Sequence, residues 1–357
     1  MRVSSSPILD RLQYLSQKHI AHFNPEELVA ELYTLRNELK TELHAVEPLS
    51  SPVHIKEVLD ESLKRVLSPE GFGHGNILSG FKDLDEITKG FSPGELIIVG
   101  ARPGTGKTFF LVNLCLNMAQ AGNAVAFFTL DFTGERLAHR FLAVRSGLPE
   151  IKLRYEVVAE EDKRSAKNSA RTFKDLKIFI DECSSDTIFS LKDKILQLVK
   201  EQNVKVVFVD YLQLFGTRNK RLTREAEIAL VTRELKNIAR ALDICVIASS
   251  QLSRAVEQRG GSKRPMLSDL RESGAIEQDA DKVMFIYRPD KAGITEDEDG
   301  VSTTGMAEII LDKDRSGPGG SAHLIFIEQG LGFMDCPSVR GRDSPLSIDG
   351  DRLSDLN

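Results

Sequence analysis

Residues 95–114 read ELIIVGARPGTGKTFFLVNL. An apolar run, ELIIVG, feeds a turn rich in glycine and proline, and Gly-Lys-Thr then opens an amphipathic segment over 107–121. A buried strand, a glycine-rich turn and a helix N-terminus in this order present consecutive backbone N–H groups to the phosphates of a nucleotide. The stretch matches GxxxxGK[ST], except that Ala101 holds the first position, next to Gly100. Ala101, Arg102, Pro103, Gly104, Thr105, Gly106, Lys107, Thr108 and Phe109 are therefore the candidate ATP-binding residues. Lys107 is expected to neutralise the β- and γ-phosphates, and the Thr108 hydroxyl to ligate Mg²⁺.

Working outward, the pattern around this turn is strands alternating with helices. The runs at 95–100, 124–130, 177–181, 204–210, 244–249 and 282–287 are short, nearly continuous and rich in Val, Ile and Phe. Such runs suit strands buried on both faces of a mostly parallel sheet. Amphipathic segments at 107–121, 190–202 and 223–242 lie between them. The predicted class is α/β, a P-loop NTPase core with helices flanking a twisted sheet. Two further runs, 307–314 and 321–328, are joined by RSGPGG and predict a hairpin. A P-loop also needs an acid near its metal, and VVFVDYLQL supplies Asp210 at the end of a buried run. An acid at the end of a buried strand is costly unless it meets a cation. With Thr108 it is the expected Mg²⁺ pair. One strand later, IASSQLSR puts Gln251 where a neutral amide can sense a γ-phosphate.

Composition sets outer limits. The chain has 357 residues, 41% hydrophobic and 28% charged, as in an ordinary globular protein. A net charge of −6 gives no general attraction to nucleic acid, so such contacts must come from local basic patches. The four cysteines are far apart and form no CxxC pair. No run has signal-peptide or membrane-span character, so a cytoplasmic protein without membrane contact is expected.

Residues 1–52 read as a short helical region in which Asn24-Pro25-Glu26-Glu27 starts a helix striped by Leu28, Leu32, Leu35, Leu39 and Leu43. That stripe covers either the chain's own core or a partner. Residues 53–76 read as a linker helix and linker, 77–336 as the ATPase domain, and 337–357 as a disordered tail.

Two basic segments follow strand ends on one edge of the sheet. The first holds Arg218, Lys220, Arg221 and Arg224, and the second Arg254, Arg259, Lys263 and Arg264. Flexible cations and backbone donors suit phosphate tracking along DNA, and solvated charge is the alternative. Neither segment contains an aromatic, so base stacking should not dominate.

Taken in order, GFKDLDEITKGFSPGELIIVGARPGTGKT, VDYLQL, SSQLSRAVEQR, SDLRESGAIEQDAD and KDRSGPGG resemble the C-terminal, RecA-like ATPase domain of the DnaB family of replicative helicases, over residues 53–335. The segment DLRESGAIEQDAD (269–281) discriminates best, since P-loops are widely shared. The resemblance implies an ATP hydrolase that moves 5′ to 3′ on single-stranded DNA as a homo-hexameric ring. It implies that Lys107, Thr108, Asp210 and Gln251 act as above, and that Arg140 contacts the nucleotide base. It also implies that Lys313 and Arg315 enter a neighbour's ATP site, and that Arg271, Glu272 and Gly274 hold the DNA backbone. Lys313 and Arg315 stand two residues apart at a strand end and so leave the same face.

Two departures stand out. Only about fifty residues precede the linker helix, where the family has an N-terminal collar, which puts primase and loader contacts in question. The family's water-positioning glutamate is here Asp131, one methylene shorter. Asp131 is either a catalytic residue or the N-cap of the following helix. An ATP-bound switch with slowed hydrolysis, and a RecA/RadA-type recombinase, are the competing functions.

Overall fold

The computed structural model describes residues 54–67, 76–155, 159–183, 187–217, 222–261, 263–270, 274–296, 300–328 and 332–337. The expectations for residues 1–52, the linker at 68–75 and the tail beyond 337 lie outside these. The chain divides into two compact units, Met1–Phe72 and Gly73–Asn357. In the first, helix α1 (Ile55–Val66) carries Ile55, Leu59 and Leu63 at four-residue spacing, each more than half exposed.

The second unit begins with α2 (Lys82–Thr88), β1 (Leu96–Ala101), α3 (Lys107–Gln120), β2 (Val125–Thr129), α4 (Gly134–Ser146), α5 (Glu150–Tyr155) and α6 (Glu160–Thr172). It continues through β3 (Ile178–Glu182), α7 (Ile188–Gln202), β4 (Val206–Asp210), α8 (Arg224–Leu242) and β5 (Cys245–Gln251). It ends with α9 (Ala255–Gln258), α10 (Gly274–Asp279), β6 (Lys282–Tyr287), β7 (Met306–Asp314), β8 (Gly320–Ile327) and β9 (Gly332–Asp335). The described strands form one sheet in the order β3-β2-β4-β5-β1-β6-β7-β8-β9. Strands β1 to β6 pair in parallel, and β7, β8 and β9 add an antiparallel extension.

The continuous apolar runs are explained by burial on both faces. Along β4, Val206 and Phe208 join the core beneath α3 and α4, while Val207 and Val209 join the core beneath α7 and α8. Every residue of β1, β2 and β4 is buried. The chain leaves β1 toward one side of the sheet, and β5 then connects across β1 to β6 on the other. The carboxyl end of β1 is thus a topological switch point, the usual place for a crevice in an open α/β sheet. Among the described residues no helix is long and apolar enough to cross a membrane.

The structure corrects one alternative. Helix α4 is capped by Thr133, whose side-chain oxygen accepts from the Arg136 N–H at 3.3 Å. Asp131 is not its cap.

Candidate functional site

A cleft of about 480 Å³ opens at the switch point. Its floor is the turn between β1 and α3, with residues 101–104 and 106–109 as lining. Thr105 is buried and does not line it; its hydroxyl donates to the Arg102 carbonyl at 2.8 Å and closes the turn. Gly104 and Gly106 hold left-handed backbone angles, φ +79° and +94°. A Cβ on Gly106 would stand 2.7 Å from the Phe326 ring, so only glycine fits. Arg102 anchors the turn from outside, donating to Glu257 of α9 (2.7 and 2.9 Å) and to the Leu252 carbonyl (2.7 Å).

The chemistry centres on Asp210, which is 1% exposed at the end of β4. One of its oxygens accepts from the Thr108 hydroxyl at 2.7 Å, and the other from the Ser249 hydroxyl at 2.6 Å. Lys107 Nζ lies 3.7 Å from that second oxygen and 4.3 Å from the centre of the Tyr211 ring. Burial pushes the Lys107 pKa down, against the opposing pull of Asp210 and Asp131. The residues fit Mg²⁺: a hydroxyl and a carboxylate, both hard oxygen donors, sit side by side next to the glycine-rich turn. Among the described residues no cluster of three or more His, Cys, Asp or Glu forms, so a metal here relies on few protein ligands.

Asp131, exposed just past β2, is the carboxylate among the lining residues, and Gln251 reaches the cleft from the end of β5, in register with Ala101. Arg140 of α4 also lines it. Its guanidinium lies 3.9 Å from the Phe132 ring centre and 5.2 Å from that of Phe109, with Nε 3.5 Å from a Glu150 oxygen. Arg140 Nε and Nη1 are buried without a hydrogen-bond partner, and burial lowers this guanidinium's pKa. Nη1, a donor without a partner on a residue that lines the cleft, suits an acceptor on a ligand.

Three lining residues escaped sequence reasoning: Phe132, Tyr211 and Phe326. Tyr211 was signalled by its place beside Asp210. Phe326, in β8, carried no local signal, because only the sheet brings it to the loop.

Lys313 and Arg315 do not line this cleft. Lys313 Nζ donates to the carbonyls of Glu277 and Ala280, the latter at 2.7 Å. Arg315 donates to the Gln278 carbonyl and, at 3.3 Å, to Asp281. Both cations thus rest on the C-terminal end of α10, where carbonyls favour positive charge.

Of the expected DNA contacts, Arg218, Lys220, Arg221, Arg271 and Glu272 lie outside the described residues. Arg254 is exposed and makes no ion pair with the described residues, and Gly274 opens α10 in open space. Lys263 Nζ approaches the Ala292 carbonyl at 3.4 Å. Arg259 and Arg264 are each paired within the chain. Arg259 pairs with buried Asp269, and Arg264 grips Glu308 with two bonds of 2.6 Å.

The model of the DnaB-like helicase C terminal domain matches residues 76–335. This chain belongs to that family. Curated DnaB-type relatives include the replicative DNA helicase DnaB of Buchnera aphidicola subsp. Schizaphis graminum, 40% identical over 284 residues, 78% of this chain and 60% of that protein. The replicative DNA helicase DnaC of Bacillus subtilis is 39% identical over 261 residues, 72% of this chain and 56% of that protein. The chain thus spans less than two thirds of the length of these relatives. Among solved structures, an isolated ATPase domain superposes with a TM-score of 0.72 at 31% identity, covering 80% of this chain and all of that one. A DnaB-like replicative helicase, described with its interactions with primase, gives 0.70 at 30% identity, covering 92% of this chain and 77% of that one. The fold is therefore the RecA-like ATPase fold of DnaB-type helicases.

Proposed function

We propose that this protein is an ATP-driven translocase that moves 5′ to 3′ on single-stranded DNA in the cytoplasm as a homo-hexameric ring, unwinding duplex DNA during replication. The observation that carries the reading is the Lys107–Asp210–Thr108 constellation at a phosphate-binding turn, with Asp131 and Gln251 lining the same cleft. In this reading the N–H groups of the turn and Lys107 hold the ATP phosphates, and Arg140 meets the base. Thr108 and Asp210 hold Mg²⁺, which would neutralise developing phosphate charge. Asp131 accepts a proton from the attacking water, and Gln251 contacts the γ-phosphate. Lys313 and Arg315 leave the end of α10 to stabilise charge in a neighbour's cleft. Arg254, Lys263 and Gly274, with the segments at 218–221 and 271–272, follow the DNA backbone.

Residues 53–76 as linker, 77–336 as motor and the regions on either side as appendages belong to the same proposal, as do contacts with primase or a loader. Steady-state ATPase with and without single-stranded DNA tests it. Wild type should hydrolyse ATP faster with DNA, and Lys107→Ala should abolish turnover. A rate indifferent to DNA, in a protein that forms no ring, overturns it. The shorter Asp131 side chain favours a second reading, a slowly hydrolysing ATP switch, for which weak turnover even with DNA is the expected result.

A further inference from the structure

The end of β5 is held by something other than a strand. Parallel pairing of β4 with β5 runs from Val206–Cys245 to Val209–Ala248 and stops there. Strand β5 continues to Gln251, still paired on its other side to β1, with Ala101 opposite Gln251. The backbone of Gln251 faces the side that β4 has vacated. That position is filled by a side chain, Gln213. Its Oε1 accepts from the Gln251 N–H at 3.2 Å, and its Nε2 donates to the Gln251 carbonyl at 3.3 Å and to the Ser250 hydroxyl at 2.8 Å. A primary amide has one acceptor and two donors in a plane, so it reproduces the bonding of a peptide group on a neighbouring strand.

Gln213 is itself firmly placed. It lies in the short turn Leu212–Leu214, whose neighbours Leu212 and Phe215 are fully buried. Its own carbonyl accepts from Arg224, the first residue of α8.

We propose that Gln213 is a positioning residue for Gln251: its side-chain amide fixes the backbone that aims Gln251 into the cleft, and its carbonyl ties that backbone to Arg224. The proposal rests on the reading of Gln251 as a γ-phosphate contact and deepens it. A contact made to the γ-phosphate during transfer contributes to turnover more than to ground-state binding. Loosening the Gln251 backbone therefore lowers kcat and leaves the KM for ATP nearly unchanged.

The test uses the full chain as wild type, Gln213→Glu, Gln213→Met and Gln251→Ala, with ATPase measured with and without single-stranded DNA. Gln213→Glu keeps the acceptor for the Gln251 N–H and loses both donated bonds, and Gln213→Met keeps the length and loses all three. The expected order is wild type, then Gln213→Glu, then Gln213→Met. The last should show DNA-stimulated kcat down about tenfold, as for a misplaced contact, with KM for ATP and Kd for ADP within about twofold. A merely structural role would raise Kd and KM as the protein loosens, with circular dichroism showing lost helix, and would overturn the proposal. If Gln251→Ala cuts kcat while both Gln213 variants match wild type, the proposal fails alone. If Gln251→Ala leaves kcat unchanged, the γ-phosphate reading fails and takes the proposal with it.

Discussion

Asp131 lines the cleft on a shorter stem than a glutamate provides. The N–H groups of Asp131 and Phe132 both bond to the Thr129 hydroxyl, at 3.2 and 3.3 Å, so the backbone at this corner is braced. A braced backbone makes side-chain length the variable that decides where the carboxylate reaches. Asp131→Glu is expected to raise DNA-stimulated kcat several-fold, and Asp131→Asn to lower it by about 10²-fold, the usual scale for a lost general base; single-turnover hydrolysis checks both. Lys107 supplies a pH dependence. Its pKa is held below 10.5 chiefly by burial, so the ammonium is lost at a lower pH than in a free lysine. Phosphate favours the ammonium, so nucleotide affinity is full below the depressed pKa and falls as pH rises through it. Binding in that window is accompanied by proton uptake, which calorimetry in buffers of different ionisation enthalpy measures, and Lys107→Arg removes it. That Lys107 and Thr108 meet at this cleft was legible because a motif keeps its residues adjacent. The Phe326 ring against Gly106 was not, because 220 positions separate them in sequence and only β8 packing against the turn joins them.

At the scale of elements, most strands announced themselves as apolar runs, the half-buried β3 and β8 included, and the shortest did not. Strand β9 is four residues long with two of them buried, too short for an apolar run to register. Helix α6 has no buried residue and no stripe to read. The basic segment after β5 shows the same limit. Positive charge is visible in the sequence, but its partners are not, and Glu308 reaches Arg264 only through the pairing of β7 with β6. Arg254 and Arg264 should therefore behave differently. Arg254→Ala is expected to flatten the dependence of log K on log salt for single-stranded DNA by about 0.7, one phosphate contact, with no change in thermal stability. Arg264→Ala leaves Glu308, 7% exposed, without its cation, and lowers stability by about 1–2 kcal/mol while leaving the salt slope alone. Filter-binding titrations in graded salt and urea denaturation separate the two.

At the scale of the molecule, the cleft and the Lys313–Arg315 pair serve different copies of the chain in the proposed ring. The pair does not line its own cleft and is held by carbonyls at the end of α10. Lys107→Ala and Arg315→Ala should each lower turnover strongly, the second on the order of 10³-fold, the scale of a lost arginine finger. Mixed in equal amounts, the two should regain activity, since an Arg315→Ala cleft can receive Arg315 from a Lys107→Ala neighbour. ATPase of the mixture that never exceeds the two separate rates would mean the pair does not act between subunits.

The sequence by itself determined the α/β class, the glycine-rich turn after β1 and the acids at the strand ends, because burial on two faces, glycine-dependent backbone angles and strand-end charge are local demands that each residue type must meet where it stands. Only the tertiary structure decided which of the described cations are paired, which residue caps α4, that Phe326 walls the glycine-rich turn, and that a glutamine side chain completes the edge of β5. Those outcomes depend on which strands lie side by side, and strand order is set by the packing of the whole sheet.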